Sequence, residues 1–295
     1  MFTIFGIPGP LLFGQLLLGL INGAFYAMLS LGLAVIFGML NIINFAHGSL
    51  FMMGAFVSWM LLNYLGIGYF PALILSPLIV GAFGLVMEKT IISRLYKLDH
   101  LYGLLLTFGL ALVLDGLFRN YYGSSGMPYN IPGPLQGATN LGFMYMPNYR
   151  GWVVVAALVV CLATWAIIEK TSLGATLRAA TENAPLVQAF GVNVPRLITL
   201  TYAGGVALAA FAGVLAAPIY SVNPNMGDNF INTVFAVVVI GGMGSILGAI
   251  VSGFALGVIE GLTKVFYPQA SATVVFLVMV IVLLVKPSGL FGKTA

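Results

Sequence analysis

Few residues in this 295-residue chain could do chemistry. The two histidines, His47 and His100, stand far apart, without the spacing of a metal-binding pair. The single cysteine, Cys161, sits in an apolar run, where a thiol is expected to be buried and inert. Residues 287–294, PSGLFGKT, imitate a phosphate-binding loop. That loop requires glycine where Pro287 stands, a strand before it and a helix after it. No segment is therefore expected to hydrolyse ATP, and no nucleophile elbow is present. The seven acids are Glu88, Asp99, Asp115, Glu169, Glu182, Asp228 and Glu260. None falls mid-span, where a coupling-ion or proton site would place one. Asp115 with Arg119 and Glu260 with Lys264 read instead as i, i+4 pairs at helix ends.

The elements around these residues are apolar. Hydrophobic residues make up 61% of the chain, charged residues 6%, and mean hydropathy is +1.09. A soluble domain carries roughly 25% charged residues. With lipid as solvent, the backbone must pair internally, so the long runs predict helices; barrel strands would alternate in shorter segments. Apolar stretches cover residues 11–40, 49–65, 71–87, 101–118, 152–168, 197–217, 231–262 and 270–285. The fold class is all-α: a polytopic transmembrane bundle of about eight to nine crossings, read as one transmembrane domain over residues 1–295. The first and seventh stretches are too long for one span and contain Asn22-Gly23 and Gly241-Gly242-Met243-Gly244-Ser245. Both are expected to be glycine-interrupted helices, and broken helices point at a translocation pathway. A faint echo, GSL at 48–50 and GSIL at 244–247, hints at an internal repeat.

The formal net charge of +4 comes without a basic patch or an aromatic-basic module, so nucleic acid is not an expected partner. Membrane lipid is. The first basic residue is Lys89, so the first apolar segment lacks the basic flank of a cleaved signal and is read as retained. Lys89, Arg94 and Lys97, then Lys170, Arg178 and Arg196, then Lys286 and Lys293 mark three connections as cytoplasmic. Residues 119–150 and 218–230 read as external. Two passes by residues 231–262 return the tail to the cytoplasm; a half helix there would leave it outside. Two passes are preferred, and the side of the N-terminus stays open.

Residues 172–196, SLGATLRAATENAPLVQAFGVNVPR, predict two short helices. Gly174 opens the first, on which Arg178 and Glu182 are i, i+4; the second runs from Ala184 to Phe190 and ends at Gly191. Such a small-residue hairpin can act as a rigid lever that docks into another protein; a plain surface loop is the alternative.

This hairpin resembles the cytoplasmic coupling loop of the branched-chain amino acid permease family of ABC importers. GLINGAFYAMLSLGLAVIFGMLNIINFAHGSLFMMGAF, NTVFAVVVIGGMGSILGAIVSGFALG and KPSGLFGK resemble the family's LivH-like permeases, in order and over essentially the whole chain. The resemblance implies a multi-pass protein of a bacterial-type inner membrane. Its implied partners are a second, LivM-like permease, two cytoplasmic ATPase subunits and a periplasmic substrate-binding protein. ATP and Mg would be bound by the ATPases, with no cofactor and no catalytic residue in this chain. The implied coupling loop spans 169–196, and in it Arg178, Glu182, Asn183, Gly191 and Asn193 would meet the ATPase. Asn22, Asn41, Asn44, His47 and Gly48, with Gly241, Gly242, Gly244 and Ser245, would line or gate the pathway. Capping helices between spans is the plainer role for Asn41, Asn44 and His47; close helix packing is that of the glycines. The expected cargo is a branched-chain or related amino acid, with urea or a short amide as the alternative. An ion-coupled transporter or channel is the alternative of another class.

Overall fold

The computed structural model describes residues 3–4, 7–40, 43–96, 98–142 and 144–292. Asn41, Lys97 and Lys293, named above, lie outside the described residues. The described residues form eleven α-helices: α1 (Gly9–Leu40), α2 (His47–Leu65), α3 (Tyr69–Thr90), α4 (His100–Tyr122), α5 (Asn148–Lys170), α6 (Ser172–Glu182), α7 (Ala184–Ala189), α8 (Val194–Tyr220), α9 (Asp228–Gly241), α10 (Ile246–Phe266) and α11 (Val274–Val285). Among the described residues, two tiny hairpins, β1–β2 (Thr3–Ile4, Ile7–Pro8) and β3–β4 (Ala138–Asn140, Tyr145–Pro147), are the paired strands. Among the described residues, seven helices are long and apolar enough to cross a membrane, and α9 and α11 are shorter apolar helices.

Helix α1 is the axis of the bundle and is buried almost continuously from Ile21 to Ile36. It runs antiparallel to α10, and glycines on both sides let the two backbones touch. A Cβ on Gly23 would meet the Phe254 backbone at 3.0 Å, and Gly19 faces Gly257 and Gly261 in the same way. This corrects the first expected interruption: α1 passes through Asn22-Gly23 as one unbroken helix of 32 residues. The glycine there serves approach. Away from water, no solvent competes for the helix hydrogen bonds, so a small residue opens a packing seam and leaves the helix intact. At ~1.5 Å per residue, α1 is about 48 Å long, and it outruns a hydrocarbon core of about 30 Å.

The second interruption is real. Helix α9 ends at Gly241, Gly242 and Gly244 take φ of +98° and +81°, and α10 starts at Ile246. Only glycine enters that region without steric cost. Ser245 Oγ accepts the Gly248 N–H at 3.1 Å and caps α10. The chain's final turn closes over the other helix end: Leu290 N donates to Ile240 O at 2.8 Å and Phe291 N to Gly241 O at 3.1 Å. Carbonyls that a helix leaves orphaned are thus satisfied by the KPSGLFG segment. Residues 231–262 form two antiparallel helices, with Gly241 against Gly248.

Two other starts lie deep in the bundle. His47, the first residue of α2, donates from Nε2 to Leu29 O at 3.0 Å, well inside the span of α1. Gly227, just before α9, packs against Gly48, whose Cβ would stand 2.9 Å from the Gly227 carbonyl oxygen. Residues 43–46 and 226–227 therefore bring non-helical backbone to the interior, where protein surrounds it.

The two ends of the bundle differ. At one end, Tyr69 and Tyr149 share a hydroxyl hydrogen bond of 2.8 Å, and Trp152 Nε1 donates to Tyr69 at 3.3 Å. Ser58 donates to Tyr129, and Met127 pairs with Val222. Residues 119–150 and 221–225 thus meet there, together with the β3–β4 hairpin; this is the hairpin end. Lys89, Arg94, Lys170, Arg178, Arg196 and Lys286 gather at the opposite, basic end.

Candidate functional site

Helices α6 and α7 form a hairpin at the basic end, shaped by local chemistry. Asn183 Oδ1 accepts from Leu186 N at 3.0 Å, and Pro185 occupies the first turn of α7, where its missing N–H costs nothing. Gly191, at φ +86°, ends it; Asn193 Oδ1 then accepts from Arg196 N at 3.1 Å and opens α8. Ala180, Val187 and Val194 bury a small apolar core between the two helices and α8. Arg178 and Glu182, i, i+4 on α6, do not pair. Arg178 Nη1 reaches back to Glu169 Oε2 at 3.2 Å and to the Ile168 carbonyl at 2.9 Å, tying α6 to the end of α5. The free carbonyls at a helix C-terminus attract a cation. With both partners over 40% exposed, the ion pair itself adds little. Outward from this scaffold point two apolar side chains, Leu186 at 54% exposure and Phe190 at 80%. At a charged end of the molecule they form an exposed apolar surface.

A polar column leads inward. Tyr202, in the third turn of α8, is 1% exposed and accepts Asn44 Nδ2 at 2.9 Å. Thr107 of α4 braces the same segment, donating to Ile43 O and accepting from Phe45 N. Asn44 Oδ1 and His47 Nδ1 are buried without a hydrogen-bond partner among the described residues. Neither residue caps α2, whose N-cap position is Ala46 with no side-chain bond. Because α7 leads directly into α8, this column links the exposed hairpin to the deep start of α2. Tyr202→Phe leaves the Asn44 amide without its partner and is expected to cost about 1–3 kcal/mol. The melting temperature of the purified protein should fall by a few degrees. Adding Asn44→Leu should restore part of the loss; equal melting of the single variant and wild type would contradict the assigned bond.

The other pathway candidates separate by depth. Gly244 lines a small cavity of about 90 Å³ with Gly38, Glu169 and Arg178, so the glycine break and the hairpin adjoin. Gly241 and Gly242 pack against Gly248 and Gly292. Asn22 lies toward the hairpin end, where its Oδ1 accepts from Tyr220 at 3.2 Å. Asp115 and Arg119 also depart from expectation: Arg119 donates to Asn225 at 2.5 Å, while Asp115 is 7% exposed beside Ser49. Glu260 and Lys264 pair as expected at 2.5 Å, and Tyr26 donates to the same carboxylate at 2.7 Å. Sequence reasoning missed Tyr26, Tyr202 and Tyr220, since a tyrosine in an apolar run looks like a packing aromatic. It also passed over Phe190 as an exposed apolar side chain, although an aromatic just before the Gly191 stop was a readable signal.

The family profile described as "Branched-chain amino acid transport system / permease component" matches residues 15–285. The chain belongs to this permease family. It is 30% identical to the high-affinity branched-chain amino acid transport system permease protein BraD of Pseudomonas aeruginosa, over 95% of both chains. It is also 30% identical to the permease protein LivH of Salmonella typhimurium, again over 95% of both. Similarity extends to the permease protein LivM of the same organism, at 25% identity over 91% of this chain and 68% of that one. This permease is thus a multi-pass helical transport protein, with its hairpin, polar column and glycine break spread along one bundle.

Proposed function

We propose that this permease is the membrane subunit of an ATP-driven importer that moves branched-chain or related amino acids across the inner membrane by alternating access. The observation that carries the reading is the exposed Leu186–Phe190 face on a braced hairpin leading into α8. Partner ATPases would press on that face, and α8 would carry the motion to the Tyr202–Asn44 contact. Arg178, Glu182, Asn183, Gly191 and Asn193 would shape and rim the docking surface. Asn44, His47, Gly48 and the residues of the glycine break would flank the path. A nucleotide that favours one ATPase arrangement then shifts the bundle between its two openings. The basic end would face the cytoplasm. The likeness to both LivH and LivM proteins supports a pair of different permeases. ATP and Mg would belong to two ATPase chains, and a binding protein would deliver the solute at the hairpin end.

The test is uptake by proteoliposomes holding both permeases, the ATPases and the binding protein. Leucine should accumulate only with ATP inside the compartment that holds the ATPases, and urea should not compete. Accumulation by the permeases alone, driven by a proton or sodium gradient, would overturn the reading.

A further inference from the structure

At the hairpin end, α1, α5, α8 and α10 enclose a cavity of about 350 Å³. This is the low end of the ~300–1,000 Å³ range of ligand sites. Its polar wall is Gln15, Asn22, Arg150, Tyr220 and Lys264. Lys264 is neutralised by Glu260 at 2.5 Å, and Tyr26 takes that carboxylate's other oxygen. Arg150 is half-buried and lies close enough to Tyr220 for its charge to act on the phenol, but no carboxylate pairs with it among the described residues. The cavity therefore holds one positive charge in excess, on a guanidinium whose fork suits two carboxylate oxygens. Acceptors stand across from it: the Gln15 side chain, and Asn22, whose oxygen keeps a second lone pair after bonding Tyr220. Leu18, Ile21 and Ile219 supply an apolar wall.

We infer that this cavity is an entry site for a small aliphatic amino acid, with its carboxylate on Arg150, its ammonium toward Asn22 and Gln15, and its side chain on Leu18, Ile21 and Ile219. The assignment rests on the proposed amino acid transport and names the residues that would first receive the cargo. The charge count favours it: one carboxylate offsets the one unmatched cation, and the neutral oxygens are left for a cationic donor.

The experiment is equilibrium binding of radiolabelled leucine to the purified full complex without its binding protein, together with uptake in proteoliposomes. Wild type should bind leucine, and leucinamide, which lacks the carboxylate, should compete at least tenfold more weakly. Arg150→Gln should weaken leucine binding by about tenfold or more, with Arg150→Lys in between. An unchanged elution profile and melting temperature would show that the variants fold. Binding of leucine by Arg150→Gln as by wild type, or no binding by wild type, would overturn the site. Mass spectrometry separates the other source of an anionic group: a phospholipid carried by wild type and lost in Arg150→Gln, without leucine binding, assigns the cavity to lipid and overturns the solute. Normal ATP-dependent uptake by Arg150→Gln defeats the site alone, whereas no ATP-dependent amino acid uptake by wild type defeats the transport reading itself.

Discussion

Gly257→Leu is expected to remove folded permease from the membrane. A Cβ at Gly257 would strike the Gly19 carbonyl and the backbone of Gly23, and leucine adds three more carbons to the same place. The obstacle is backbone, which cannot rotate aside, so relief means pushing α10 off α1. That separation would open the seam along the most deeply buried helix of the bundle. Overpacking costs typically 1–3 kcal/mol when side chains can shift, and here the cost should lie at or above about 3 kcal/mol. Membrane abundance and the size-exclusion profile after detergent extraction report it. Gly116→Leu on α4 is the control, because a Cβ there meets nothing within 4 Å. Recovery of monodisperse Gly257→Leu protein at the control's yield would refute the close seam.

The second large effect belongs to Phe190. Its side chain is 80% exposed, so Phe190→Asp should insert and fold as wild type does. ATP-dependent uptake should nevertheless fall by tenfold or more. A buried aromatic anchor at a protein interface is worth about 2 kcal/mol or more, which is roughly 30-fold in affinity. An aspartate there would also have to be desolvated against the partner. Phe190→Leu, which keeps the apolar contact, should retain most of the transport. Wild-type uptake by Phe190→Asp, with ATP hydrolysis still stimulated by the binding protein, would sink the docking role of this face.

Chain composition and local punctuation were enough to read the helical membrane character, the two short helices after α5 and the break at Gly241–Ser245. Each of these rests on interactions within a few residues or with lipid: the Asn183 and Asn193 caps, Pro185 in a first turn, positive-φ glycines at 242 and 244. Tertiary structure decided the rest. Asn22-Gly23 carries the same kind of signal as Gly241-Gly242, yet one continues a helix and the other ends it. The difference is whether a neighbouring backbone comes up against the glycine or the chain itself must turn. Arg178 and Arg119 each had an acid four residues away, and each found a partner from outside its own helix, Glu169 or Asn225. The deep starts of α2 and α9 depend on the Gly48–Gly227 contact, and the cavity at Arg150 on four helices meeting. None of these can be read along one strand of sequence, because in a close-packed bundle the role of a small or charged residue is set by what the other helices bring to it.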